Sequence, residues 1–343
     1  MQQTGHEVMI VPVYAGAAEL PFKGKIVNLN AASKHKYWDV AAWRKLAQLI
    51  KREQPHVIQA NAGDTLKYAV FSKLLFRWKQ PIIFRNASTI SLYIKTPLVK
   101  KLYRFLFSKT DKIISVSKAS AADFKILYPE FQHKITVMPI GIEQDSGIED
   151  KMLHFPFVDE DVSNDSPMLV HVGGFTFEKN HVGLIRIFEN VLQKSPGARL
   201  YLIGDGPMRK EIEHLVNTKG LYDKVIFKGF QKEPLQWIQK ADVLLLPSHI
   251  EGLPGVILEA FYCKTPVVAY DTGGIKEVVI PNQTGWLISK DDEAAFADAV
   301  LLALEKHEHN NKMIETAFKL VKSQYMNAEV AKGFLNIYKA ALS

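Results

Sequence analysis

The sequence runs to 343 residues, 47% hydrophobic and 23% charged, with a formal net charge of +7. Such a length suggests two domains, each large enough to enclose its own apolar core. No apolar run approaches the roughly 20 residues needed to span a bilayer, and a single cysteine, Cys263, excludes an intrachain disulfide and a cysteine-built metal site.

Residues 1–7 offer neither a basic start nor an apolar stretch before a cleavage site, so no secretory signal is read there and a cytoplasmic location is expected. Charge is uneven: residues 1–140 hold 22 Lys+Arg against 8 Asp+Glu, and residues 141–343 hold 21 against 28. A basic half favours an anionic partner, and a solvated basic face is the plain alternative. Short β-branched runs alternate with helical periods throughout, the pattern of parallel-sheet α/β domains. In the first half the strands are expected at Glu7–Tyr14, Ile26–Asn30, His56–Asn61, Pro81–Asn86, Lys112–Ser117 and Ile135–Pro139. The stretch from Ile140 to Pro167 turns acidic and irregular and reads as the linker. A second series follows at Met168–Gly173, Arg199–Gly204, Val225–Phe230, Val243–Pro247, Pro266–Tyr270 and Gly285–Ile288. These readings divide the chain into residues 1–150, residues 151–326, and a terminal helix over 327–343 that packs back toward the first domain. Two doubly wound domains facing each other would place a ligand in the cleft at their strand carboxyl ends.

The candidate chemistry lies in the second half. After its first strand the chain reads Gly173-Gly174-Phe175-Thr176-Phe177-Glu178-Lys179; glycines admit close approach of an anion to the backbone, and Lys179 supplies a point charge for a diphosphate. The next strand ends in Gly204-Asp205-Gly206-Pro207, a tight strand-to-helix turn. Each of these alone is also ordinary turn chemistry. The most specific piece is Glu251-Gly252-Leu253-Pro254-Gly255-Val256-Ile257-Leu258-Glu259, where a glycine-bearing loop opens a helix whose amides and dipole suit an anion, flanked by two carboxylates. It is followed by Pro266-Val267-Val268-Ala269 and Gly273-Gly274.

Together these strings resemble the retaining GT-B glycosyltransferases of family 4 (glycosyl transferases group 1). The resemblance covers nearly all of the second half, in the Glu-x7-Glu element, the Gly-Asp-Gly-Pro turn and the Pro-Val-Val-Ala…Gly-Gly segment. It extends less strongly to Gly5-His6-Glu7-Val8, Asp111–Ser117 and Val137–Glu143. It implies a fold of two Rossmann-like domains and a metal-independent transfer of a hexose-type sugar. The donor would be a nucleotide-sugar, UDP-sugar first, and the acceptor a glycan or lipid-linked molecule in cell-surface polysaccharide synthesis. No cofactor is expected beyond the donor, which is a substrate. By the same resemblance Glu259 would hold the ribose hydroxyls and Glu251 the donor sugar. Lys179, with the amides of Gly252–Val256, would stabilise the departing diphosphate, and Gly173, Gly174, Gly204, Asp205 and Gly206 would complete the donor site. No Asp-x-Asp string of the kind metal-dependent sugar transferases use is read, Asp159-Glu160-Asp161 lying in the acidic linker stretch, and there is no clear metal-ligand spacing.

Three departures from the family stand out. The string Gly5–Val8 matches the entry to the family's second strand, so the first strand of the N-terminal domain is expected to be absent. Gly174 occupies the place of an arginine that many members pair with the diphosphate. No histidine follows Phe84-Arg85-Asn86, where many members carry one, which leaves Arg85 and Asn86 as acceptor-side candidates. The helix beginning near Pro97 carries Leu98, Leu102, Phe105 and Leu106 on one stripe beside Lys100, Lys101 and Arg104. That pattern suits a peripheral contact with an anionic membrane at the inner face of the cytoplasmic membrane, and equally a stripe packed on the sheet. The rival readings are a non-catalytic nucleotide-sugar-binding subunit and a GT-B nucleotide-sugar epimerase. Nucleic-acid binding is not expected, because the cations are dispersed and no binding motif is present.

Overall fold

The computed structural model describes residues 5–14, 22, 24–31, 38–143, 166–305 and 307–342. The chain divides into two units, residues 1–139 with 328–343, and residues 140–327. The boundary expected at 150 and most of the expected linker lie outside the described residues.

Unit 1 contains β1 (Met9–Ile10), β2 (Lys25–Ile26), α1 (Val40–Glu53), β3 (Ile58–Ala60), α2 (Gly63–Phe76), β4 (Ile82–Asn86), α3 (Pro97–Ser108), β5 (Lys112–Ser115), α4 (Lys118–Leu127) and β6 (Ile135–Val137). Its strands form two separate parallel sheets, β1-β2 and β3-β4-β5-β6. A doubly wound order would place one further strand between β1 and β3, and among the described residues none lies there. Val11, Val13 and Ile58 nevertheless pack in one cluster with Trp43, Leu46 and Ile50 of α1, so both sheets share a helical layer. Burying a side chain such as Leu46 or Ile50 stabilises by about 1.5–3 kcal/mol. Asp39 starts α1 by accepting from the Ala42 amide at 2.9 Å, satisfying one of the helix's orphan donors. The first strand is shorter than expected because Pro12 has no amide for the ladder, although bonds from Leu29 N to Pro12 O and from Ala31 N to Val13 O continue the pairing.

Unit 2 contains β7 (Met168–Val172), α5 (His181–Lys194), β8 (Arg199–Ile203), α6 (Arg209–Thr218), β9 (Val225–Gly229), α7 (Leu235–Lys240), β10 (Val243–Leu246), α8 (Gly255–Tyr262), β11 (Val267–Tyr270), β12 (Trp286–Ile288), α9 (Glu293–Leu304) and α10 (Glu308–Gln324). The last helix, α11 (Asn327–Leu342), belongs to unit 1 from Ala328 onward. The unit 2 sheet has the parallel order β12-β11-β10-β7-β8-β9, so connections reverse direction between β7 and β10, the position where open α/β sheets bind ligands. β10 is Val-Leu-Leu-Leu and fully buried. It reads as a continuous apolar run because helices cover both faces of the sheet. Leu169, Leu200 and Leu202 pack against Leu184, Ile187 and Phe188 of α5 and Phe296 and Val300 of α9 on one of those faces.

All twelve expected strands are present among the described residues. The reading of α3 needs correction. Its packed stripe is Val99, Leu102, Tyr103, Leu106 and Phe107, at helical spacing, whereas Leu98 (79%) and Phe105 (41%) are exposed. Rotation of the helix by one position follows from the pull of Phe107, which sits among Phe84, Phe124 and Tyr128 with ring centroids 4.8–5.2 Å apart.

The break in the unit 1 sheet has a measurable backbone consequence. The Ile58 amide donates to the Pro81 carbonyl at 3.0 Å, so the alternation of a parallel ladder turns the Gln59 amide toward the open edge of β3. Hydrogen exchange is expected to be roughly 100-fold faster at Gln59 than at Ile58; equal protection at the two amides would mean that β3 is paired on both sides.

Candidate active site

Four chain turns meet at the carboxyl edge of the unit 2 sheet. The turn after β8 crosses the turn after β7 so closely that a Cβ on Gly204 would overlap the Gly173 carbonyl oxygen, and Gly204 has φ +137. Both facts require glycine. The Phe175 amide then donates to the Asp205 carbonyl at 3.1 Å, and the Met208 amide to the Phe175 carbonyl at 3.0 Å. The Asp205 side chain is committed locally, accepting from the Gly206 amide at 2.7 Å and from Arg209 at 3.3 Å.

A second crossing joins the turns after β10 and β11. Gly273, at φ +56, lies where a Cβ would overlap the Glu251 carbonyl oxygen, and the Gly274 amide donates to the Gly252 carbonyl at 2.7 Å. This clamps the loop from Glu251 to Pro254, whose residues are buried. Leu253 is therefore an anchor side chain, and the loop offers its backbone rather than its side chains. Helix α8 begins at Gly255 behind Pro254, with no side-chain cap. The amides of Gly255 and Val256 thus stand at an uncapped positive helix end.

The β7 and β10 turns are joined in turn. Asn180, held at φ +53 as the cap of α5, accepts from the Gly183 amide and donates to the Pro247 carbonyl, both at 3.0 Å. The His249 amide donates to the Glu178 carbonyl at 2.8 Å. Above these bonds Lys179 Nζ donates to Glu251 Oε1 at 2.6 Å, with side-chain exposures of 23% and 9%. The two residues expected to be catalytic are therefore in direct contact, 72 positions apart in sequence. Gly173 makes room for the stem of Lys179, which passes 3.4 Å from where its Cβ would be. At Gly174 an added Cβ would meet only ordinary contacts, 3.6 Å to the Asp205 carbonyl oxygen and 3.8 Å to Thr176, so a larger side chain fits there.

Glu259 lies in the second turn of α8. Burial raises its carboxyl above the ordinary range, and it has no ion pair or side-chain hydrogen bond with any described residue. A half-hidden carboxylate with free acceptor capacity suits a hydroxyl-rich ligand. Arg209, which sequence reasoning did not single out, is held beside the Gly204–Pro207 turn by Asp205 and Glu213, and its guanidinium lies 5.9 Å from the Phe227 ring centre. Its signal was present, as a cation two residues after Pro207.

Two buried histidines beneath the site also went unread. His171 donates through Nδ1 to the Leu245 carbonyl at 2.8 Å, while its Nε2 faces Gly173, 3.1 Å from the position of an added Cβ. His181 stacks on Phe175 with centroids 4.1 Å apart and meets His171 edge-on at 4.8 Å. In unit 1, the acceptor-side candidates point to opposite faces of β4. Asn86 is 1% exposed and its amide donates to Ser115 and the Ser120 carbonyl, which makes it an internal brace. Arg85 is on the face of Ile83, the face covered by α11.

Comparison with known proteins bears on the whole chain. The family described as Glycosyl transferases group 1 matches residues 157–320, and that described as Glycosyltransferase Family 4 matches residues 1–146. The chain belongs to the group 1 glycosyltransferases. Among relatives of this glycosyltransferase, the N-acetyl-alpha-D-glucosaminyl L-malate synthase of Bacillus anthracis is 24% identical, over 98% of this chain and 90% of that one. The alpha-D-kanosaminyltransferase of Streptomyces kanamyceticus is 28% identical over 51% of this chain and 46% of its own length. An Anabaena protein crystallised with UDP and glucose superposes with TM-score 0.77 at 18% identity, covering 92% of this chain and 86% of that one, which shows the shared GT-B fold.

The histidines make the site acid-sensitive. Burial holds His171 down at about 4, with the Leu245 carbonyl opposing; burial, then His171 and Lys179, holds His181 at about 2. Both titrate near 6.5 when unfolded, so below that pH the unfolded chain binds protons that the native site refuses. The stability they contribute is present above pH 6.5 and is lost as pH falls toward 4. His181→Leu is expected to flatten the fall of the unit 2 unfolding midpoint between pH 7 and 4.5, by on the order of 2 kcal/mol at the acid end. Denaturant melts across that range check this, and a slope identical to wild type would refute it.

Proposed function

We propose that this glycosyltransferase is a retaining, metal-independent enzyme that moves a hexose-type sugar from a UDP-sugar to a glycan or lipid-linked acceptor in cell-surface polysaccharide synthesis, on the cytoplasmic side of the membrane. The observation that carries this reading is the 2.6 Å Lys179–Glu251 contact set beside the uncapped start of α8. It supports assigning one cation and two backbone amides to the departing diphosphate. Support for UDP comes from the Anabaena neighbour, which was crystallised with that nucleotide.

In the proposed reaction the bond between the anomeric carbon and the β-phosphate oxygen breaks, and its electron pair leaves with the diphosphate. Lys179 and the amides of Gly255 and Val256 stabilise that growing charge; preorganised donors of this kind contribute about 3–4 kcal/mol each, which is why no metal is required. An acceptor hydroxyl attacks from the face of departure, forming the new bond to the anomeric carbon, and its proton passes to the departing phosphate oxygen. Glu251, buried beside Lys179, orients the sugar, and Glu259 accepts from the ribose hydroxyls.

Calorimetric titration of UDP, GDP and ADP in the presence of EDTA tests the donor site. Selective UDP binding is expected, weakened roughly 10- to 100-fold by Glu259→Ala as a charged hydrogen-bond acceptor is removed. Binding that requires magnesium, or that is indifferent to Glu259→Ala, would overturn the assignment. The broken sheet of unit 1 favours a second reading, a nucleotide-sugar-binding subunit without turnover, and UDP-sugar binding with no hydrolysis or transfer would select it.

A peripheral membrane contact is part of the same proposal. No described helix is long and apolar enough to cross a membrane, and α3 exposes Leu98 and Phe105 next to Lys101, Arg104 and Lys109, with Leu92 and Tyr93 just ahead of it. Apolar side chains ringed by cations suit an anionic lipid surface. Sedimentation with phosphatidylglycerol vesicles is expected, little with phosphatidylcholine, and a severalfold loss in a Leu98→Glu, Lys101→Glu variant. Equal sedimentation with both lipids would sink the idea.

A further inference from the structure

We propose that the acceptor carries a phosphate or carboxylate group and that Arg85 is the residue that holds it, an inference that rests on the reading of unit 1 as the acceptor-binding half. Arg85 is the second-last residue of β4, paired in register with Ile114. It lies two positions beyond Ile83 on the face that α11 covers with Val330, Phe334 and Ile337. It therefore stands, partly exposed, near the carboxyl end of the unit 1 sheet, where α/β sheets bind their ligands.

The arginine is half-buried and has no ion-pair partner among the described residues. Its Nε is sealed from solvent and has no hydrogen-bond partner, and burial lowers its affinity for its proton, opposed only by the nearby Tyr338. No carboxylate among the described residues pairs with it. The surrounding polar groups are instead satisfied by one another. The Tyr338 hydroxyl donates to Gln59 Oε1 at 2.7 Å, and the Gln59 amide donates to Asn61 Oδ1 at 2.8 Å.

A half-buried cation with one sealed, unpaired N–H and no carboxylate partner has donor capacity that an anionic ligand group would satisfy. A structural role would have used Tyr338 or Gln59, both within the same cluster, and neither is hydrogen-bonded to the guanidinium. The planar fork of an arginine matches phosphate and carboxylate oxygens two at a time. The excess of 22 Lys+Arg over 8 Asp+Glu in residues 1–140 would draw such a group toward this half of the chain.

The test uses the full chain and the variants Arg85→Gln and Arg85→Lys. Without ligand, Arg85→Gln is expected to melt at or above the wild-type temperature, since an uncompensated charge has been removed. Inorganic phosphate, glycerol 3-phosphate and glycerate are expected to raise the melting temperature of wild type in a saturable way; Arg85→Gln loses that response and Arg85→Lys keeps part of it. In transfer assays KM for glycerol 3-phosphate rises at least tenfold in Arg85→Gln, while glycerol itself, a neutral acceptor, is used equally poorly by both proteins. A larger response to a polyprenyl diphosphate-linked sugar in detergent micelles than to the small anions would identify a lipid-borne phosphate as the source, and the reverse a soluble acid; either supports the proposal. Equal anion responses in wild type and Arg85→Gln would overturn it, as would a ligand-free Arg85→Gln that melts well below wild type and shows no change in KM. UDP binding to unit 2 separates the two levels of inference: its absence in wild type defeats the donor assignment, whereas its presence with no Arg85-dependent anion effect defeats this proposal alone.

Discussion

Two backbone crossings organise the site of unit 2. Gly204 lies against the Gly173 carbonyl and Gly273 against the Glu251 carbonyl, each at a positive φ that side chains adopt only with strain. Any Cβ at either place would separate the turns it joins. Because the turns are locked pairwise, β7 with β8 and β10 with β11, and then across the switch point by Asn180 and Glu178, the positions of Lys179, Glu251 and the start of α8 follow from a handful of main-chain contacts. Rigid placement of this kind lets electrostatic groups act without reorganising during a reaction.

The resulting charges are arranged in an order that physical chemistry can interpret. Lys179 is not left exposed but donates to Glu251, so each limits the cost of partly burying the other. On the proposed reading, a diphosphate would offer Lys179 a stronger partner and free Glu251 to turn to the sugar. Glu259, by contrast, has no such partner among the described residues and is pushed toward its neutral form by burial alone; a ligand hydroxyl that donates to it restores the favourable state of the carboxylate. His171 and His181 contribute no charge. They fill the space under the glycine turns as neutral rings, which keeps the floor of the site apolar beneath the cation.

Unit 1 is less complete in its pairing. Its two sheets share the α1 layer, yet among the described residues the backbone between β1 and β3 is not joined, and the four-stranded part draws its cover on one side from α11, more than 180 residues later in the chain. Phe334 and Ile337 seal Ile83 and Ile114, and the same helix brings Tyr338 to the polar group around Arg85. The C-terminal helix thus serves both the core of this unit and the neighbourhood of the half-buried Arg85 guanidinium near the strand ends.

Much of this was legible in the chain. The central strands of both units are β-branched or leucine-rich runs bounded by glycine, proline and acidic turns, and they lie where the local pattern placed them, because a strand buried on both faces must be apolar along its length; the less buried pair β1 and β2 is shorter and shifted from its expected bounds. The glycine strings and the Glu251…Glu259 spacing were equally plain, since they encode backbone geometry within a few residues. What the sequence could not decide was anything requiring contact between distant segments. The stripe on α3 was misassigned because Leu98 and Phe105 are as hydrophobic as Val99 and Phe107, and only the aromatic cluster of Phe84, Phe124 and Tyr128 selects between them. The pairing of Lys179 with Glu251, the solitary state of Glu259 and Arg85, and the use of two histidines as neutral packing all depend on which side chains the tertiary fold brings within a few ångströms. The sequence by itself determined the class of fold and the turns that bear its chemistry, since these arise from local periodicity and local backbone freedom; the protonation, pairing and exposure of the side chains on those turns were decided only by tertiary structure, because burial and charge partnership are properties of neighbours in space.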